Sequence, residues 1–128
     1  MNKKIIITAA SLICLAIALG AMAAHGLKNI LTEELLESFE KGVRYQFYAG
    51  FSILILSLAA DKFSFSLKWF YRLTLVGVLL FSFCIYAYCF HTQIPALHNL
   101  VILVPFGGIS FILAWVIFIS NIVRKGLK

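Results

Sequence analysis

Four long apolar runs, parted by short polar or charged connections, organise this chain. Ile5 to Ala24 carries no charge between Lys4 and His25, and Tyr45 to Ala60 is shorter but also uncharged. Trp69 to Phe90 holds one charge, Arg72, close to its start, while Leu100 to Ser120 is uncharged throughout. A hydrocarbon core about 30 Å thick is crossed by roughly 20 helical residues. Helices are the open-ended way to satisfy backbone hydrogen bonds in lipid. The pattern predicts an all-α membrane protein. It is a single transmembrane domain over 1–128, with four transmembrane helices in a bundle at about 5–24, 45–60, 69–90 and 100–122.

The connection at 25–44 has a pattern of its own. Thr32 is placed to cap a helix whose first turns carry Glu33, Glu34 and Glu37, with Lys41 and Arg44 following, so acid precedes base along the dipole. Leu35, Leu36, Phe39 and Val43 fall on one face. A short amphipathic helix over about 32–43 is predicted, lying on the outer bilayer surface or over the bundle. Gly42 is the expected bend into the second span.

Composition reinforces lipid as the solvent. Of 128 residues, 62% are hydrophobic and 12% charged, whereas soluble domains run near 45–50% and 25%. So short a soluble fold could not hide that much apolar surface. The net charge of +6 does not point to nucleic acid, because the basic residues sit in small groups at span ends and form no patch. Eight of them (Lys3, Lys4, Lys62, Lys68, Arg72, Arg124, Lys125, Lys128) fall on one side of the predicted bundle, and Lys28, Lys41 and Arg44 on the other. The excess of positive charge on the untranslocated side puts both termini in the cytoplasm of a multi-pass protein of the bacterial inner membrane. Arg72 is near enough to the interface to snorkel. Trp69, Phe70 and Tyr71 suit the inner interface, Tyr45 and Tyr48 the outer one.

The first run also resembles a signal peptide, with Lys3-Lys4 before it and Ala21-Met22-Ala23 near its end. Its apolar stretch is longer than the usual 7–15 residues of such a core, and Ala16, Gly20 and Ala24 form a small-residue stripe suited to helix packing in lipid. Retention as a span is expected.

Candidate chemistry is sparse. His25 closes the first span, His91 the third, and His98 opens the fourth, so all three belong to the outer side, where they form a candidate ligand cluster for a metal ion or haem. No tight ligand spacing accompanies them, and interfacial histidine is the simpler reading; no metal or cofactor is expected. Pro105, Gly107 and Gly108 suggest an unwound binding segment of the transporter kind, or a helix start whose glycines seat against the small-residue stripe of the first helix. Gln46 is the one amide in a span, near the outer end of the second. Cys14, Cys84 and Cys89 all lie in apolar runs without paired spacing and read as small apolar residues. The carboxylates Glu33, Glu34, Glu37, Glu40 and Asp61 all fall in connections, and neither a phosphate loop nor a nucleophile elbow is present.

Taken in order, Gly20-Ala21-Met22-Ala23-Ala24-His25-Gly26-Leu27-Lys28, Tyr45-Gln46-Phe47-Tyr48, Phe81-Ser82, Pro105-Phe106-Gly107-Gly108 and Trp115 resemble the YgdD-like family of small bacterial inner-membrane proteins, a domain of unknown function. The resemblance implies a four-helix inner-membrane protein that retains its first helix, and it supplies no activity. The chain departs from the family pattern around Ala24-His25 and at Ala49, where the family tends to carry a histidine.

A non-enzymatic structural or accessory membrane component is therefore expected, whose partners are the lipid bilayer and a homo-oligomer or larger membrane complex. A small-solute carrier or channel is the alternative, requiring a cavity lined by Gln46, Ser82 and Tyr86. A histidine-based metal or haem accessory is the third.

Overall fold

A computed structural model describes residues 2–128. Its long helices are α1 (Lys3–Ala24), α2 (Glu33–Leu58), α3 (Lys68–Cys89) and α4 (Val104–Lys125). A single π-type turn, Val78–Phe83, interrupts α3, and a 3₁₀ segment, Pro95–Leu103, leads into α4. Three helical segments are long and apolar enough to cross a membrane: Lys3–Ala24, Lys68–Cys89 and Pro95–Lys125.

The connection before α2 departs from the expected layout. No separate surface helix ends near 43; the amphipathic stretch and the second apolar run form one helix of 26 residues. Thr32 Oγ1 caps it by accepting from the Leu35 N–H at 3.3 Å, as the acid-first pattern requires. Gly42 makes no bend. It lies mid-helix under the Tyr86 ring, where a Cβ would stand 2.8 Å from Tyr86 Cε1. Nothing between Glu33 and Leu58 removes a backbone donor, so the helix runs on, and Gly42 serves close approach to α3.

The helices pair as two antiparallel hairpins, α1 with α2 and α3 with α4, and α2 against α3 joins them. Two apolar clusters fill the interior. One, nearer the chain ends, gathers Ala9, Leu12, Ile53, Phe63, Phe70, Val78 and Ala114. The other gathers Ala16, Ala23, Leu27, Phe39, Val43, Ile85 and Cys89. On α1 the buried stripe is Ala9, Leu12, Ala16 and Ala23, at the three- and four-residue steps and their sum that keep one face of a helix. Ala24 of the expected stripe is exposed, and Gly20 touches Val43.

The ends of the chain meet at one end of the molecule. Phe63 and Leu127 form an isolated antiparallel bridge, the Lys128 N–H donates to the Lys62 carbonyl at 2.9 Å, and Ser64 Oγ donates to the Lys125 and Gly126 carbonyls. Asn2 and Ile5 line a cavity with Phe65 to Lys68 at that same end.

Candidate functional site

Two of the buried polar side chains, Gln46 and Ser82, lie where α1, α2 and α3 meet. Gln46 is wholly buried, and both ends of its amide are used: Nε2 donates to the Leu12 carbonyl at 2.8 Å, and Oε1 accepts from the Tyr86 hydroxyl at 2.7 Å. One helical turn away on both helices, the buried Ser82 hydroxyl donates to the Gly42 carbonyl at 2.7 Å. One amide thus ties three helices, and hydrocarbon offers these groups no alternative partner.

Gln46 is not near an outer helix end, because α2 begins at Glu33; it faces Leu12, midway along α1. Tyr45, its neighbour, stands away from the helix end as well. Its ring packs on Phe81 at 4.6 Å and Phe111 at 6.1 Å, between α2, α3 and α4. The carrier reading required a cavity at Gln46, Ser82 and Tyr86. Instead, their polar groups are bonded to one another and to the backbone, and Gln46 and Ser82 have no accessible surface.

Pro105 occupies the first turn of α4, where its missing N–H is no loss, so it starts the helix and unwinds nothing. Gly107 seats on α3, contrary to the expected contact with α1. A Cβ there would come within 2.8 Å of the Leu80 carbonyl carbon and collide with the Phe81 backbone, in the π-type turn. Gly108 has only an ordinary contact, 3.9 Å to Phe81 Cδ2. The α3–α4 pair is pinned further by Ser110 Oγ donating to the Leu73 carbonyl at 2.7 Å.

The three-histidine cluster does not form. His91 and His98 stand edge to face at 5.3 Å between ring centroids, and His91 stacks on Tyr88 at 4.6 Å while its Nδ1–H donates to the Tyr88 carbonyl at 2.8 Å. His25 stands apart from them, at the C-terminal cap of α1. Among the described residues no group of three or more His, Cys, Asp or Glu side chains is arranged to hold a metal ion. Spans alone place residues at a depth; they do not place them at the same azimuth around the molecule.

Sequence reasoning missed two further places. A largely apolar cleft of about 350 Å³ lies between α2 and α4, walled by Tyr45, Tyr48, Phe111 and Trp115, and Thr74 of α3 contributes to it. The Thr74 hydroxyl is buried and has no hydrogen-bond partner. The second is the cavity of about 630 Å³ at the end that holds both termini, bounded by Ile5 of α1, Ser57 of α2, Ala60 of the connection that follows, and Lys68, Tyr71, Arg72 and Leu75 of α3. Its polar groups were visible only as flanking charges and lone hydroxyls.

The family model described as a protein of unknown function, DUF423, matches residues 19–108, more than half of the chain. A UPF0382 membrane protein of Staphylococcus aureus (strain bovine RF122 / ET3-1) is 32% identical over 91% of this chain and 93% of its own length. The UPF0382 membrane protein YwdK of Bacillus subtilis (strain 168) is 32% identical over 95% of this chain and 98% of its own. A UPF0382 membrane protein of Haemophilus influenzae is 34% identical over 78% of this chain and 77% of its own. No solved structure matches the chain. The matched region runs from the last turns of α1 to Gly108 and so includes Gln46, Tyr86, Ser82 and the Gly107 seat, but not Leu12.

Proposed function

The chain belongs to the DUF423 family of membrane proteins of unknown function, and from that premise we propose that it is a four-span, non-enzymatic accessory component of the bacterial inner membrane that works by assembling with other membrane proteins or with copies of itself. The relatives bear out a small membrane protein of unknown activity; the number of crossings, the orientation and the role are ours. The finer likeness to the YgdD-like proteins agrees with this reading.

The fourth crossing is α2. Gly50 lies on Ile13 and Gly20 on Val43, in antiparallel register, so Ala24 stands level with about residue 39. The part of α2 beside α1 is then roughly 20 residues, the length that crosses hydrocarbon. The acidic first turns, Glu33 to Glu37, project beyond α1 into the outer aqueous phase. An even number of crossings also accounts for both chain ends lying at one end, with the C-terminus bonded to Lys62 to Ser64 and Asn2 lining the cavity there. Charge bias makes that shared end the cytoplasmic one.

The observation that carries the accessory role is the state of the interior polar groups. Gln46, Ser82 and Ser110 each spend their hydrogen bonds on holding neighbouring helices together, which leaves a rigid scaffold and no free reactive group among them. The outward faces of α2 and α4 present large apolar side chains, among them Ile55, Ile112 and Val116. Purification of the full chain in mild detergent, with cross-linking in membranes beforehand, tests the reading. A stable homo-oligomer or a reproducible membrane partner is expected. A strict monomer with no partner in both settings overturns it.

A further inference from the structure

The cavity at the end of the molecule holding both termini has the composition of a phospholipid site, and we propose that it binds one anionic phospholipid of the leaflet it faces. Only the choice of leaflet rests on the orientation proposed above. Lys68 and Arg72 stand one turn apart on the first two turns of α3 and line the cavity, with no acidic side chain among the lining residues. Arg72 is held in place by the Trp69 ring, whose centroid lies 5.4 Å from its guanidinium carbon. The N-terminus of α3 opens at the same point and adds its positive end to the two side-chain charges.

Along α3 the lining runs from the charge of Lys68 through Tyr71 and Arg72 to apolar Leu75, as polarity runs along a phospholipid. One turn in from Lys68, the Tyr71 hydroxyl accepts from Ser57 Oγ at 3.2 Å, and its own proton remains free to donate to an ester carbonyl. Leu75, one further turn along α3, continues the wall, and Ile5 and Ala60 add apolar surface for an acyl chain. A cavity of about 630 Å³ takes a headgroup with its glycerol and the first part of a chain, and the remainder continues into the bilayer. Phosphate between Lys68 and Arg72, an ester at Tyr71 and a chain along Leu75 is the arrangement inferred. Basic pockets between spans on the cytoplasmic side are suited to such headgroups.

Native mass spectrometry of the detergent-solubilised full chain tests this, with dioleoylphosphatidylglycerol or dioleoylphosphatidylcholine titrated at fixed ionic strength. One saturable phosphatidylglycerol is expected, preferred over phosphatidylcholine by about tenfold, as two basic groups beside an anionic headgroup supply. The Lys68→Gln/Arg72→Gln double variant brings that preference close to unity, and Lys68→Arg/Arg72→Lys retains most of it. The Arg124→Gln/Lys125→Gln variant, which removes two charges at the same end of the molecule but outside the cavity, leaves it unchanged. Equal binding of the two lipids overturns the proposal, as does equal loss of preference in both charge-removal variants. Displacement of the lipid by glycerol phosphate at comparable concentration also overturns it, because a headgroup lacking tails would then suffice. None of these results depends on the number of spans or on which way the protein faces.

Discussion

The Tyr86 hydroxyl donates to Gln46 Oε1 at 2.7 Å while the Gln46 amide nitrogen donates to the Leu12 carbonyl at 2.8 Å. Three helices are thereby joined through a single side chain with no accessible surface. Gln46→Leu fills similar space but strands the Tyr86 hydroxyl, and Tyr86→Phe strands Gln46 Oε1. Each variant is expected to lose about 1 kcal/mol of stability, and a double-mutant cycle between them to show a coupling of about 0.6–1.7 kcal/mol, the range for hydrogen bonds between membrane helices. Thermal unfolding in a fixed detergent measures both; a coupling of zero would show that the two residues do not act together.

Gly107 and Gly108 are adjacent in sequence and unequal in space. Gly107→Ala places a methyl group against the backbone of the π-type turn in α3, where no side chain can rotate away. It is expected to cost about 1–3 kcal/mol. Gly108→Ala meets only an ordinary contact and is expected to be neutral or to stabilise by up to about 1 kcal/mol through helix propensity. Comparing the melting temperatures of the two variants decides the point.

Thr74 is 3% exposed and its hydroxyl has no partner. Thr74→Val keeps the shape and removes the stranded polar group, so it is expected to raise stability by about 1 kcal/mol. A loss of stability instead would mean that the hydroxyl is engaged by a molecule occupying the cleft between α2 and α4.

A fluorescent-protein fusion at Lys128 is expected to fold and fluoresce in the cytoplasm, and a protease site introduced beside Asn29 to be cleaved from outside. The Phe63–Leu127 bridge sets the C-terminus beside the α2–α3 connection, and Asn2 lines the cavity at that same end, so the N-terminus lies with the C-terminus. Tags on opposite faces would reduce the crossings to an odd number and remove α2 from the membrane.

Much of the fold was legible because hydrophobicity sums along the chain. Lys3–Ala24 and Lys68–Cys89 fall within two residues of the runs read from the sequence, and the Thr32 cap forms as its pattern requires. The separate amphipathic helix over 32–43 was misread because Gly42 looks like a hinge until Tyr86 is seen packed upon it. Pro105 was read rightly as a possible helix start, since its chemistry is local. Of the candidate residues, Gln46 and Gly107 hold central positions, while His25 stands apart from His91 and His98.

The solvent of this protein, the approximate length of its apolar helices and the sidedness of its charges were determined by sequence alone, since each is a property of composition over a window. Which face of α1 meets α2, why Gly107 sits on Phe81, and how Lys68, Arg72 and Tyr71 come to share one cavity with Ile5 were decided only by tertiary structure. Rotation about a helix axis costs an isolated apolar helix nothing in lipid; close packing and buried hydrogen bonds between neighbours select the azimuth.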